Sequence, residues 1–141
     1  MKSSSEQPVA QARPIGYRRL VAAAYWLPAL VWVALITYQS LRPFDPGRSH
    51  PETEPPDYVL HTAAYFVIGL LLFPACRRQW SLTARAAALI AVLLGMAHGL
   101  LDEWLQTYVP GREAQLHDVL TNFLGLVLAQ GAILLFRRGR R

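Results

Sequence analysis

Four apolar runs, at residues 20–40, 58–75, 81–101 and 119–136, leave this chain little to fold into except a bundle of membrane-spanning helices. Each run has about 18 to 21 residues, which at ~1.5 Å rise per residue covers a hydrocarbon core of ~30 Å. The charges divide between the loops of such a bundle. Of the 14 Lys and Arg residues, Lys2, Arg13, Arg18 and Arg19 precede the first run, Arg77, Arg78 and Arg85 follow the second, and Arg137, Arg138, Arg140 and Arg141 follow the fourth. Only Arg42, Arg48 and Arg112 fall in the other two loops, and every Asp and Glu except Glu6 lies on that second side. The excess of basic residues places both termini in the cytoplasm. The expected fold is an all-α, integral membrane four-helix bundle, N-in and C-in, with a polar cluster at its extracytoplasmic end.

A length of 141 residues leaves no room for a second folded domain beside four spans. Residues 1–16, rich in Ser, Gln and Pro, are expected to form a disordered cytoplasmic tail, and residues 17–141 a single membrane domain. The net charge of +5 is explained by topology signals and contacts to anionic headgroups, so the expected partner is the lipid bilayer and not nucleic acid. The first run is longer than the ~7 to 15 residues of a secretory signal core, and Tyr38-Gln39-Ser40-Leu41 offers no small-x-small cleavage site. It is read as a permanent span. Cys76 is read as a lone buried thiol.

Pro28 is expected to kink the first helix, and the Pro-rich stretch from Leu41 to Pro56 to cross the outer surface in extended form. The short link Cys76–Trp80 makes the second and third spans antiparallel neighbours. Beyond the third span, helix is expected to about Tyr108, followed by a turn at Val109-Pro110-Gly111 and a polar re-entry. Trp80 and Trp104 fit interfacial anchors, and the Ala and Gly residues of the third span fit close helix approach.

Function is sought among residues that a membrane should not contain. Asp57, His61 and Tyr65 recur every four residues and share one face of the second helix. His98, Asp102 and Gln106 repeat the interval on the third, with Glu103 beside Asp102, and Asp118 and Asn122 repeat it on the fourth, with Gly125 a turn below. Ionisable groups near hydrocarbon cost ~2.5 to 3.5 kcal/mol each at the centre, so these stripes are expected to face one another. Arg112 has the planar fork to hold Asp118 or Glu103, Asn122 can orient a carboxylate, and Gly125 leaves space for a neighbouring helix or a substrate chain. Simpler roles exist. Asp57 and Asp118 can cap helices, His98 can be an interhelical hydrogen bonder, and His50, His117, Asp45, Glu52 and Glu54 can be solvated.

At these positions the chain resembles the VanZ-like family, small bacterial membrane proteins named after one associated with low-level resistance to the glycopeptide teicoplanin. The resemblance rests on Asp57-x-x-x-His61, Asp102-Glu103-x-x-Gln106, Val109-Pro110-Gly111-Arg112 and Asp118-Val119-x-x-Asn122-x-x-Gly125, and covers the chain from about Ser40 to Gly131. Family members often have His at the position of Leu105, where this chain departs from the pattern. The resemblance implies a multi-pass protein of the bacterial inner (cytoplasmic) membrane with a part in the cell envelope. It supplies no substrate.

The leading expectation is an outer-face pocket that binds, and can modify, a lipid-linked or anionic headgroup substrate. Glu103 is the first choice of acid/base group, with His61 the alternative proton carrier and Asp118 a further candidate. Arg112 is the anion clamp, and Gln106, Asn122 and Asp57 complete the binding set. The sequence requires no cofactor, although His61, Asp57, Glu103 and Asp118 are ligand types that would suit Mn or Mg. No Ser or Cys nucleophile has a supporting motif. The competing reading is a noncatalytic scaffold or regulator whose buried polar cluster fixes helix register. A transporter comes third, because four spans without an inverted repeat make a poor monomeric path.

Overall fold

A computed structural model describes residues 15–43, 55–112 and 114–139. Its elements are α1 (Ile15–Ser40), α2 (Asp57–Trp80), α3 (Ala84–Gln106) and α4 (Leu116–Arg138), with no strand among the described residues. The expected tail from Met1 to Pro14 and the segment holding Asp45, Arg48, His50, Glu52 and Glu54 lie outside the described residues. Ile15 and Gly16, assigned above to the tail, belong to α1.

Helix ends depart from the ends of the apolar runs, because hydropathy marks what lipid covers while caps and turns set where a helix starts and stops: α1, α2 and α4 begin ahead of their runs, whereas α3 begins three residues inside its run and continues past it. α2 passes through Pro74 and absorbs the expected link, ending at Ser81 in the left-handed region (φ 51°, ψ 37°), whose N–H bonds to the Arg77 carbonyl. Thr83 then caps α3, its hydroxyl accepting the Ala86 N–H at 3.3 Å. α3 ends at Gln106, short of Tyr108, and Gly111 turns the chain with φ 78°. α4 begins at Leu116, ahead of the apolar run. α1 stays one helix through Pro28.

Cross-helix contacts give the directions. Going down α2, Thr62 faces Gly125 and Gly69 faces Ala129, so α2 and α4 run parallel. Along α3 the order reverses, with Gly99 against Asn122 and Gly95 against Leu126. The closest packing is between α2 and α4; α1 lies against α2 and touches α3. Gly125 makes this possible: a Cβ there would collide with the Thr62 carbonyl oxygen and lie 2.8 Å from the Phe66 nitrogen. The space beside Gly125 is therefore filled by helix backbone. Ala87, Ala91, Gly95 and Gly99 form a buried stripe at intervals of four on α3, the close-approach surface expected of them.

The exterior differs from that of a water-soluble bundle. Buried positions hold Tyr65, Ile68, Leu72, Phe73, Leu126 and small residues together with Asp102, Glu103, Gln106, Asp118, Asn122 and Gln130, while Leu27, Leu89, Leu93, Leu120 and Leu128 are exposed. A surface of leucines is favourable against hydrocarbon and costly against water. α2, α3 and α4 are long and apolar enough to cross a membrane. Cys76 is fully buried, and Trp80 and Trp104 are exposed at helix ends, as anchors require.

Candidate functional site

The period-four stripes on α2, α3 and α4 meet at one end of the bundle. His61 Nδ1 lies 3.1 Å from Asn122 Oδ1, and its Nε2 lies 3.9 Å from Asp118 Oδ2. Asp118 sits in the first turn of α4 and Asp57 is the first residue of α2, so both carboxylates face the positive ends of helix dipoles. The cap positions themselves are held by Pro56 and Gln115, neither of which makes a side-chain cap bond among the described residues. His117 is exposed, 3.5 Å from Asp118 Oδ1.

A second set of bonds ties α1 into this end. Ser40 Oγ donates to Asp102 Oδ1 at 2.8 Å, and Gln106 Nε2 donates to Asp102 Oδ2 at 3.4 Å. His98 bridges two helices, with Tyr65 Oη 3.0 Å from its Nδ1 and Thr37 Oγ1 3.0 Å from its Nε2. This is the interhelical role expected of that imidazole. Trp32 Nε1 donates to the Ala64 carbonyl at 3.0 Å. Thr37, Ser40 and Trp32 were not singled out as site residues. Their signal in the sequence is the run Thr37, Gln39, Ser40, hydrogen-bonding side chains at the end of an otherwise apolar helix.

Between α1 and α2 opens a cleft of about 710 Å³. One part of its wall is apolar, built from Trp32, Leu35, Ile36, Leu60, Ala63 and Val67. The other is polar and contains Gln39, Ser40, Asp57, His61, Asp102, Gln106 and Arg112. Asp57, His61, Gln106 and Arg112 thus share one cleft, whereas Glu103, Asp118 and Asn122 do not line it.

Glu103 is only 5% exposed and its Oε2 accepts the Gln115 backbone N–H at 3.0 Å, fastening the α3–α4 connection to α3. Its Oε1 has no hydrogen-bond partner among the described residues. Arg112 pairs with neither Asp118 nor Glu103. Its Nε instead donates to the Arg42 carbonyl at 3.1 Å, which joins the α3–α4 loop to the end of α1. Among the described residues, no three His, Cys, Asp or Glu side chains come close enough to hold a metal ion, so His61, Asp57, Glu103 and Asp118 do not form a coordinating set in this arrangement.

The family model described as VanZ/LLP1 matches residues 25–137, a span that contains all four helical cores and every residue of the polar end. No curated protein and no solved structure matches the chain.

Proposed function

This chain belongs to the VanZ/LLP1 family, and from that premise we propose that it is a cell-envelope membrane protein whose cleft between α1 and α2 receives an amphiphile, lipid-linked or headgroup-bearing. The observation that carries the reading is the division of one cleft into an apolar wall and a polar end. A hydrocarbon chain fits the Trp32, Leu35 and Leu60 side, and a polar head fits among Asp57, His61, Gln106 and Arg112. Arg112 is the cation for a phosphate or carboxylate on that head. His61 is the group placed to exchange a proton with it, held by Asn122 and close to Asp118. Glu103 supports the same end from behind, through Gln115. The charge bias of the loops supports an inner-membrane orientation in which this end faces outward.

The test is mass spectrometry of envelope lipids and cell-wall precursors in a deletion strain complemented with wild type, His61→Ala or Arg112→Ala at matched protein levels. A species lost on deletion and restored by wild type alone supports the reading and names the substrate class. The Ser40–Asp102 and Thr37–His98–Tyr65 bonds favour a second reading, a noncatalytic scaffold in which buried polar contacts fix helix register. Unchanged profiles in all strains would favour it.

A further inference from the structure

The end of the bundle away from the carboxylates has its own cleft, of about 490 Å³, bordered by α1, α2, the turn at Ser81 and α4. Three arginines line it: Arg77 and Arg78 from the last turn of α2, and Arg137 from the last turn of α4. Basic residues in a last turn offset the negative end of a helix dipole, which accounts for their presence on each helix singly. It does not account for two helices directing guanidiniums to one concavity.

Their placement is specific. Arg78 Cζ lies 5.5 Å from the Tyr25 ring centroid, joining α2 to α1, and Arg137 Cζ lies 5.9 Å from the Phe73 ring centroid, joining α4 to α2. Contact with an aromatic face orients a guanidinium while leaving its N–H donors available at the edge. Among the described residues the carboxylates are Asp57, Asp102, Glu103 and Asp118, and none lines this cleft. Three like charges around one concavity repel until an anion enters, and a fork of N–H donors matches phosphoryl oxygens best. Arginines at the ends of apolar helices lie where lipid phosphates lie.

We propose that the Arg77, Arg78 and Arg137 cleft binds a phosphoryl anion, supplied by an anionic lipid headgroup or by free phosphate. The site is independent of the amphiphile cleft: it uses none of the same residues, so either can fail alone.

The full chain in neutral detergent is titrated with short-chain phosphatidylglycerol, short-chain phosphatidylcholine and inorganic phosphate, with binding read by thermophoresis. Phosphatidylglycerol is expected to bind about tenfold more tightly than phosphatidylcholine, whose choline the arginines repel. Arg77→Gln with Arg137→Gln should weaken it by about tenfold or more, and Arg77→Lys with Arg137→Lys, which keeps charge and insertion signals, by about threefold or more. The charge-matched pair Arg85→Gln with Arg138→Gln lies at the same end outside the cleft and should change affinity by less than about twofold. Competition by inorganic phosphate would identify free phosphate as sufficient, and its failure would identify the lipid as the source; both support the site. Equal binding of the two lipids, or equal losses in the cleft and control pairs, would overturn it.

Discussion

His61 Nδ1 lies 3.1 Å from the amide oxygen of Asn122. An amide oxygen only accepts, so Nδ1 carries a proton in either charge state of the ring and Nε2 is left toward Asp118. A side chain on α4 thereby sets the tautomer of an imidazole on α2 that lines the cleft.

Replacing Asn122 with Leu removes that acceptor without removing bulk. Interhelical hydrogen bonds in membrane bundles contribute ~0.6 kcal/mol on average and up to ~1.7 kcal/mol, so a loss of about 1 kcal/mol is expected. Unfolding in detergent measures it. A variant as stable as wild type would mean that the His61–Asn122 contact does not join α2 to α4.

Gly125 and Gly131 give opposite expectations on one helix. A Cβ at Gly125 meets the backbone of Thr62 and Phe66, which cannot swing aside, so Gly125→Ala should cost about 2 kcal/mol or more. Nothing lies within 4 Å of a Cβ at Gly131, and Gly131→Ala should be neutral or stabilising by up to about 1 kcal/mol through helix propensity. Thermal unfolding of the two variants side by side checks the α2–α4 packing.

The Ser40–Asp102 bond is the shortest tie between α1 and α3 among the side-chain bonds of the described residues, at 2.8 Å. Asp102 is 3% exposed, so Ser40→Ala leaves a buried carboxylate oxygen short of a donor. A double-mutant cycle of Ser40→Ala with Asp102→Ala, each of which removes the bond, should give a coupling of about 1 kcal/mol. Additive effects would place the stability of α1 elsewhere.

The orientation expected from loop charge is tested by labelling. In a Cys76→Ala background, Ser81→Cys should be protected from a membrane-impermeant maleimide in intact cells, and Tyr108→Cys, which is exposed, should react. The reverse pattern would place the polar end in the cytoplasm.

The convergence of α2, α3 and α4 was legible because Asp57/His61, Asp102/Gln106 and Asp118/Asn122 each repeat at the interval that keeps a helix face, and charge is conspicuous in an apolar run. The part of α1 was not. Thr37 and Ser40 are uncharged, small, and able to bond within their own helix, so their reach to His98 and Asp102 has no periodic mark. Glu103 and Arg112 were legible as site-forming types, but their partners are the backbone of Gln115 and Arg42, and backbone partners leave no residue pattern to read. Gly125 was legible as a close approach; only the packed helices identify α2 as what approaches it.

The most direct test of the amphiphile cleft is photo-crosslinking with benzoylphenylalanine placed singly at Leu35 and at Leu124 in cells. The two positions are matched in exposure, at 50% and 48%, but only Leu35 lines the cleft. The expected result is one discrete lipid mass captured at Leu35, lost in His61→Ala or Arg112→Ala, against a mixture of bulk phospholipids at Leu124. The same bulk mixture at both positions would contradict a cleft built for a particular amphiphile.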